Sequence, residues 1–181
     1  MPHSRPSTCG RQSADSGRSR LMNPDLPAML DDALSRGLRA MVLTNAMKPM
    51  HKCKAALLTL RERYGERLVI RVSIDHYGSA VHELERGRRS WQPTIDGLKW
   101  LARHGFAINV ASRHLSGEPE AVLRQGFARL FNELGIALDA DDPVALMILD
   151  ATVDVPEITE ACWASCISRP RARCARRHAW S

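Results

Sequence analysis

The sequence predicts an α/β fold of parallel βα repeats, and three observations carry that expectation. Short runs that alternate apolar with small or polar residues recur at Leu38–Thr44, Leu68–Asp75 and Phe106–Ala111. Between them lie longer stretches with apolar residues at helical spacing, and these end on Gly37, Gly65, Gly105 and Gly135. Strands alternating with helices are joined by crossovers and pair in parallel. The third observation is that the strands are two-sided. Ile70, Val72 and Ile74 alternate with Arg71, Ser73 and Asp75, and Phe106, Ile108 and Val110 alternate with Ala107, Asn109 and Ala111. A sheet covered by helices on both faces reads as nearly unbroken apolar runs. A barrel has its helices outside and room for polar groups inside. The expected architecture is an incomplete TIM-like barrel, incomplete because three strands are legible.

The elements follow in order. A first helix begins near Pro24, with Asn23 as N-cap and proline in the first turn. Leu26, Met29, Leu30, Ala33 and Leu34 make its apolar face, and Gly37 ends it. After the strand Leu38–Thr44, which sets Ala40, Val42 and Thr44 against Arg39, Met41 and Leu43, a second helix runs from Pro49 to Tyr64. The strand Leu68–Asp75 precedes a short helix over Ser79–Glu85 and a longer one over Pro93–His104. The third strand leads into a helix from Pro119 to Leu134. Residues 136–162 show a mixed pattern to which no element is assigned.

Charge separates the chain into three parts. Residues 1–21 carry +3 and residues 163–181 carry +5 of the overall +6, which leaves residues 22–162 at −2. A nucleic-acid-binding fold places its basic patch on ordered elements. Specific nucleic-acid binding is therefore not expected, and any attraction through the arginine tails would be nonspecific and salt-sensitive. The tails are Ser-, Arg- and Gly-rich or Arg-rich with no period, as disordered segments are. No apolar run approaches the roughly 18 residues of a membrane span, and no secretory signal opens the chain. A cytoplasmic location is the expectation. The five cysteines, Cys9, Cys53, Cys162, Cys166 and Cys174, are an odd number, which argues against a disulfide framework.

Ligands of α/β folds sit at the carboxyl ends of the strands. That rule selects Thr44 and Asn45, Ser73 and Asp75, and Ser112 and Arg113. Asp binds ribose hydroxyls, Ser and Thr donate and accept, Asn pairs with an amide or base edge, and Arg clamps a carboxylate. The set suits a nucleoside- or amino-acid-like ligand. The plainer alternatives are that Asn45 and Asp75 shape turns through their own backbone, and that Arg113 is a solvated loop residue. Arg71 lies on the polar side of its strand and needs a partner, for which Asp75 is a candidate. His51, His76, His82, His104 and His114 lack metal-ligand spacing, and Trp91 and Trp100 read as packing residues.

Three stretches in order, MNPDLPAMLDDALSRGLRAMVLTNA, VIRVSIDHYGSAVHELERGRRSW and TIDGLKWLARHGFAINVASR, resemble the middle of a radical S-adenosylmethionine (SAM) enzyme. The matching features are an N-P-x-L helix, a strand ending in Thr44-Asn45, and a strand ending in Val72-Ser73-Ile74-Asp75. His82 with Arg86-Gly87 and the helix closed by Gly105 follow. The resemblance covers residues 22–135. It implies a partial (β/α)6 barrel that binds a 4Fe–4S cluster and SAM, cleaves SAM reductively to a 5′-deoxyadenosyl radical, and abstracts hydrogen from a substrate. By the same resemblance Ser73 and Asp75 would lie near the SAM ribose and carboxylate, with Arg113 near the same ligand and Thr44-Asn45 at the neighbouring strand end. The sequence departs from the pattern in several places. The family's C-x-x-x-C-x-x-C loop is missing. Cys9 stands alone, and Cys162 and Cys166 lack a third cysteine two residues on. Where a G-G-E-P motif should precede Met22 the chain reads SGRSRL, and Ala46 and His76 stand where glycine is usual. A cluster needs thiolate ligands, so the expectation is a truncated core, inactive as written, with out-of-frame tails at residues 1–21 and 163–181. Its uncovered sheet edge and apolar faces would favour aggregation. The substrate, a small molecule or a peptide, is not specified.

Overall fold

A computed structural model describes residues 23–114 and 117–150. Both tails, together with Cys9, Cys162, Cys166 and Cys174, lie outside the described residues.

The first helix, α1, spans Leu26–Ser35. It starts two residues later than the sequence suggests, because Asn23 forms a turn before it. The Asn23 Oδ1 accepts the Asp25 N–H at 3.0 Å, and its carbonyl accepts the Leu26 N–H at 3.2 Å. Asp25 is thus the cap residue, with proline in the first turn. Strand β1 covers Ala40–Thr44, helix α2 Lys48–Tyr64, strand β2 Leu68–Ser73, helix α3 Ser79–Arg86 and helix α4 Trp91–Arg103. Strand β3 covers Ala107–His114, extending three residues past the expected end. Helix α5, Glu120–Leu134, stops at Gly135, whose φ of +66° is left-handed. Glycine adopts that conformation without steric cost.

A fourth strand, β4 at Leu146–Asp150, completes the sheet. Its Leu-Met-Ile-Leu run is short and unbroken, and periodicity cannot tell such a run from a buried helical turn. The four strands are parallel and lie in sequence order, β1-β2-β3-β4. With right-handed crossovers, that order puts every connecting helix on one side of the sheet. A doubly wound sheet would reverse its strand order.

Burial agrees with one-sided covering. Val42, Leu68, Ile70, Val72, Val110 and Leu146 are buried in one core with Leu34 of α1, Leu57 of α2, Leu98 and Leu101 of α4, and Phe127 and Phe131 of α5. The register places Met41 beside Val69 and Ala107, Leu43 beside Arg71 and Asn109, and Ser73 beside Ala111 and Met147, all on the opposite face. There Met41, Leu43 and Leu149 are 49%, 44% and 47% exposed. Among the described residues no helix packs over that face. No described helix is long and apolar enough to cross a membrane.

Candidate functional site

At the end of β1 the polar side chains serve the turn into α2. Thr44 is buried, and its Oγ1 accepts the Ala46 N–H at 3.0 Å. The Asn45 Oδ1 accepts the Met47 N–H at 3.2 Å, and the Asn45 carbonyl accepts the Thr94 hydroxyl at 3.1 Å. Of the two readings for Asn45, its side chain makes the backbone turn. Ala46 holds a positive φ of 55°, at the position where a glycine would be unstrained.

At the end of β2 the side chains behave differently. Ser73 is half-buried on the uncovered face, and its hydroxyl makes no hydrogen bond among the described residues. Asp75 is 2% exposed and sits between two guanidiniums. Arg86 Nε donates to Oδ2 at 2.5 Å and Arg86 Nη2 to Oδ1 at 3.1 Å, while Arg113 Nε donates to Oδ1 at 2.9 Å. The carboxyl feels two opposed effects. Burial pushes its pKa up, but the hydrogen bonds from Arg113 and Arg86 and their positive charges outweigh burial and hold it below 3.8. The carbonyl of Asp75 accepts the Ser112 hydroxyl at 3.0 Å, and its N–H donates to His82 Nδ1 at 3.3 Å. Asp75 therefore ties together the ends of β2 and β3 and the first helix that follows β2.

His82 and Arg86 reach Asp75 together because they lie four apart on α3, one turn apart on the same face. That spacing was visible in the sequence and was the available signal for the clamp. His82 is fully buried, with its ring edge-on to Trp91 at 5.4 Å between centroids. Burial pushes its pKa down; the Asp75 carboxylate opposes that and the charge of Arg86 adds to it, and the net shift is below the usual 6.5. Nδ1 is the acceptor, which puts the ring proton on Nε2. The unfolded chain takes up the proton first as pH falls, so the contribution of His82 to stability declines from about pH 6.5 downward. Melting of the full chain is expected at a lower temperature at about pH 5.5 than at about pH 7.5, with a smaller drop in a His82→Gln variant. Equal drops in both proteins would remove His82 from the account.

Arg113 is not a loop residue: it belongs to β3 and pairs with Asp75, with its side chain 41% exposed. Arg71 is not the partner of Asp75. Four residues along an extended strand separate their Cα atoms by about 13 Å, and the acid is already taken. The Arg71 Nη1 lies 3.7 Å from Met147 Sδ, and its Nε is buried without a hydrogen-bond partner.

A second set of contacts joins the loop after β2 to the segment before α5. The His76 ring stacks on Tyr77 with centroids 4.1 Å apart, and its Nδ1 accepts the Gly78 N–H at 2.8 Å. The Tyr77 hydroxyl donates to Glu118 Oε2 at 3.2 Å. Nothing in the sequence pattern marked Glu118, which depends on a loop contact 41 residues away.

For an iron–sulfur cluster the described residues do not fit. No group of three or more Cys, His, Asp or Glu side chains is placed to hold a metal ion among them, and Cys53, half-buried on α2, is their single cysteine.

No family model matches the chain. A 96-residue stretch, 52% of this chain, is 28% identical to the antilisterial bacteriocin subtilosin biosynthesis protein AlbA of Bacillus subtilis (strain 168). That stretch covers 20% of the relative, so the chain spans about a fifth of the length of the protein it is similar to.

Proposed function

We propose that the chain is part of a radical SAM-type barrel and that its described strands form the nucleoside-ligand side of the site. The observation that carries this reading is the gathering of Ser73, Asp75 and Arg113 at the carboxyl ends of β2 and β3, on the face that no described helix covers. Ser73 offers an uncommitted hydroxyl to a ribose oxygen. Arg113 has its Nε on Asp75 and the rest of its guanidinium turned to solvent, where it meets the ligand carboxylate. Asp75 fixes the position of Arg113, since both its oxygens already accept hydrogen bonds. Thr44 and Asn45 shape the turn bordering the site. The order of motifs shared with radical SAM enzymes supports the same reading, and the similarity to a bacteriocin biosynthesis protein supports a peptide as the molecule acted on. In that family a thiolate-bound 4Fe–4S cluster supplies the electron for SAM cleavage. The described residues contribute ligand binding alone.

Titration of the full chain with S-adenosylhomocysteine tests the reading. Saturable binding is expected, weakened about 5-fold in Ser73→Ala and about 10-fold or more in Arg113→Gln, in keeping with the loss of one neutral and one charged hydrogen bond. A folded chain that shows no saturable binding, or two variants that bind like the parent, would sink it.

A further inference from the structure

The geometry points to Arg71 as the anchor of a second binding site, in the middle of the sheet face that no described helix covers, for a monoanionic carboxylate with an apolar body. Arg71 lies on β2 two residues before Ser73, about 7 Å down the strand. It is half-buried, its Nε is sealed from water without a hydrogen-bond partner, and its Nη1 meets the Met147 sulfur. A thioether is a weak acceptor. The Nε is closed to a ligand as it is to water, so a carboxylate would meet the guanidinium at its outer Nη edge, which is not sealed. Among the described residues no carboxylate pairs with Arg71. Arg113, further along the same face, holds Asp75 through its Nε.

The surroundings define the ligand class. The register puts Leu43 on one side of Arg71 and Asn109 on the other, with Met147 across β3. Leu43, together with Met41 and Leu149 on the same face, is substantially exposed. One cation amid apolar side chains matches one negative charge attached to an apolar group. The planar fork of arginine matches the two oxygens of a carboxylate. A dianionic phosphate would require a second positive group beside Arg71, and its neighbours Leu43, Asn109 and Met147 supply none. Asn109, adjacent in register, lies within reach as a further hydrogen-bonding group.

This site is separate from the nucleoside reading and does not depend on it. The test is an NMR titration of the nitrogen-15-labelled full chain, followed at the Arg71 Nε–Hε resonance, with hexanoate, hexanamide and inorganic phosphate as probes. Hexanoate is expected to shift the resonance saturably in the millimolar range. Hexanamide is expected to leave it in place, and phosphate to shift it at least 5-fold more weakly. An Arg71→Lys variant keeps the charge without the fork and should bind hexanoate several-fold more weakly by the shifts of neighbouring backbone amides. Absence of a hexanoate shift in a well-dispersed spectrum overturns the proposal. A shift of equal size with hexanamide removes the anion, and phosphate binding as tight as that of hexanoate removes the monoanion. Neither the titration nor its controls requires a variant that might fail to fold, and loss of S-adenosylhomocysteine binding would leave their outcome unchanged.

Discussion

Replacing Asp75 with alanine is expected to lower the unfolding free energy of the chain by about 3 kcal/mol, the lower end of the cost of breaking a buried ion pair. The lower end applies because the two arginines are not fully enclosed. Their side chains are 25% and 41% exposed, so water can solvate the guanidiniums once the acid is gone, while the acid itself is 2% exposed. An Asp75→Asn variant keeps one acceptor oxygen and the shape but loses the charge, and should fall between alanine and the parent. The effect has a pH signature. The folded carboxyl titrates below its usual 3.8. Its contribution is therefore fully present above the unfolded value and is lost as pH falls through the folded one. The stability gap between parent and Asp75→Ala should widen slightly from about pH 6.5 to about pH 5, because the Asp75 charge favours the protonated His82 ring, and should narrow below about pH 4. Chemical denaturation across that range measures it. A gap that does not narrow at all between about pH 4 and about pH 2 would show that the loss comes from packing and not from the charge.

Gly97→Ala is expected to be the second large effect. A Cβ at this position would stand 2.0 Å from the Ala46 carbonyl oxygen and 2.7 Å from the Ala46 Cβ. The obstructing atom is backbone at the end of β1, so no rotamer change relieves it. Overpacking of this kind costs about 3 kcal/mol, and the helix-propensity gain of alanine over glycine returns about 1 kcal/mol. The net loss is about 2 kcal/mol, or roughly 6 °C in melting temperature for a chain of this size. Adding Ala46→Gly removes one contact and the strain of the positive φ but leaves the carbonyl oxygen where it is, so rescue should be partial. A Gly97→Ala chain that melts with the parent would mean that α4 does not approach the β1 turn this closely. The same contact bears on ligand binding, because that turn carries Thr44 and Asn45 and borders the proposed site.

Several parts of the fold and site are legible in residue order because they are local. The two-residue alternation of Leu68–Asp75 marks β2, the glycines after α2 and α5 mark helix ends, and the four-residue spacing of His82 and Arg86 marks one helical face. Strand β4 escapes the same reading. Its unbroken apolar run has no period of its own and is defined by pairing with β3. The strap from Tyr77 to Glu118 escapes for a similar reason. It joins loops whose approach is set by Gly126, where any side chain would collide with the Tyr77 ring.

What the sequence determined by itself is the α/β alternation and the two-sidedness of its strands, since both are periodicities of three or four residues or of two. The choice of ionic partners belonged to the tertiary structure. Asp75 stands four residues from Arg71, yet it pairs with Arg86 and Arg113, 11 and 38 residues away. An extended strand holds near neighbours in sequence too far apart to touch. Parallel pairing brings the end of β3 beside the end of β2, and α3 folds back over both. Contact between charges follows from register and crossover, and Arg71 is left without an acid among the described residues.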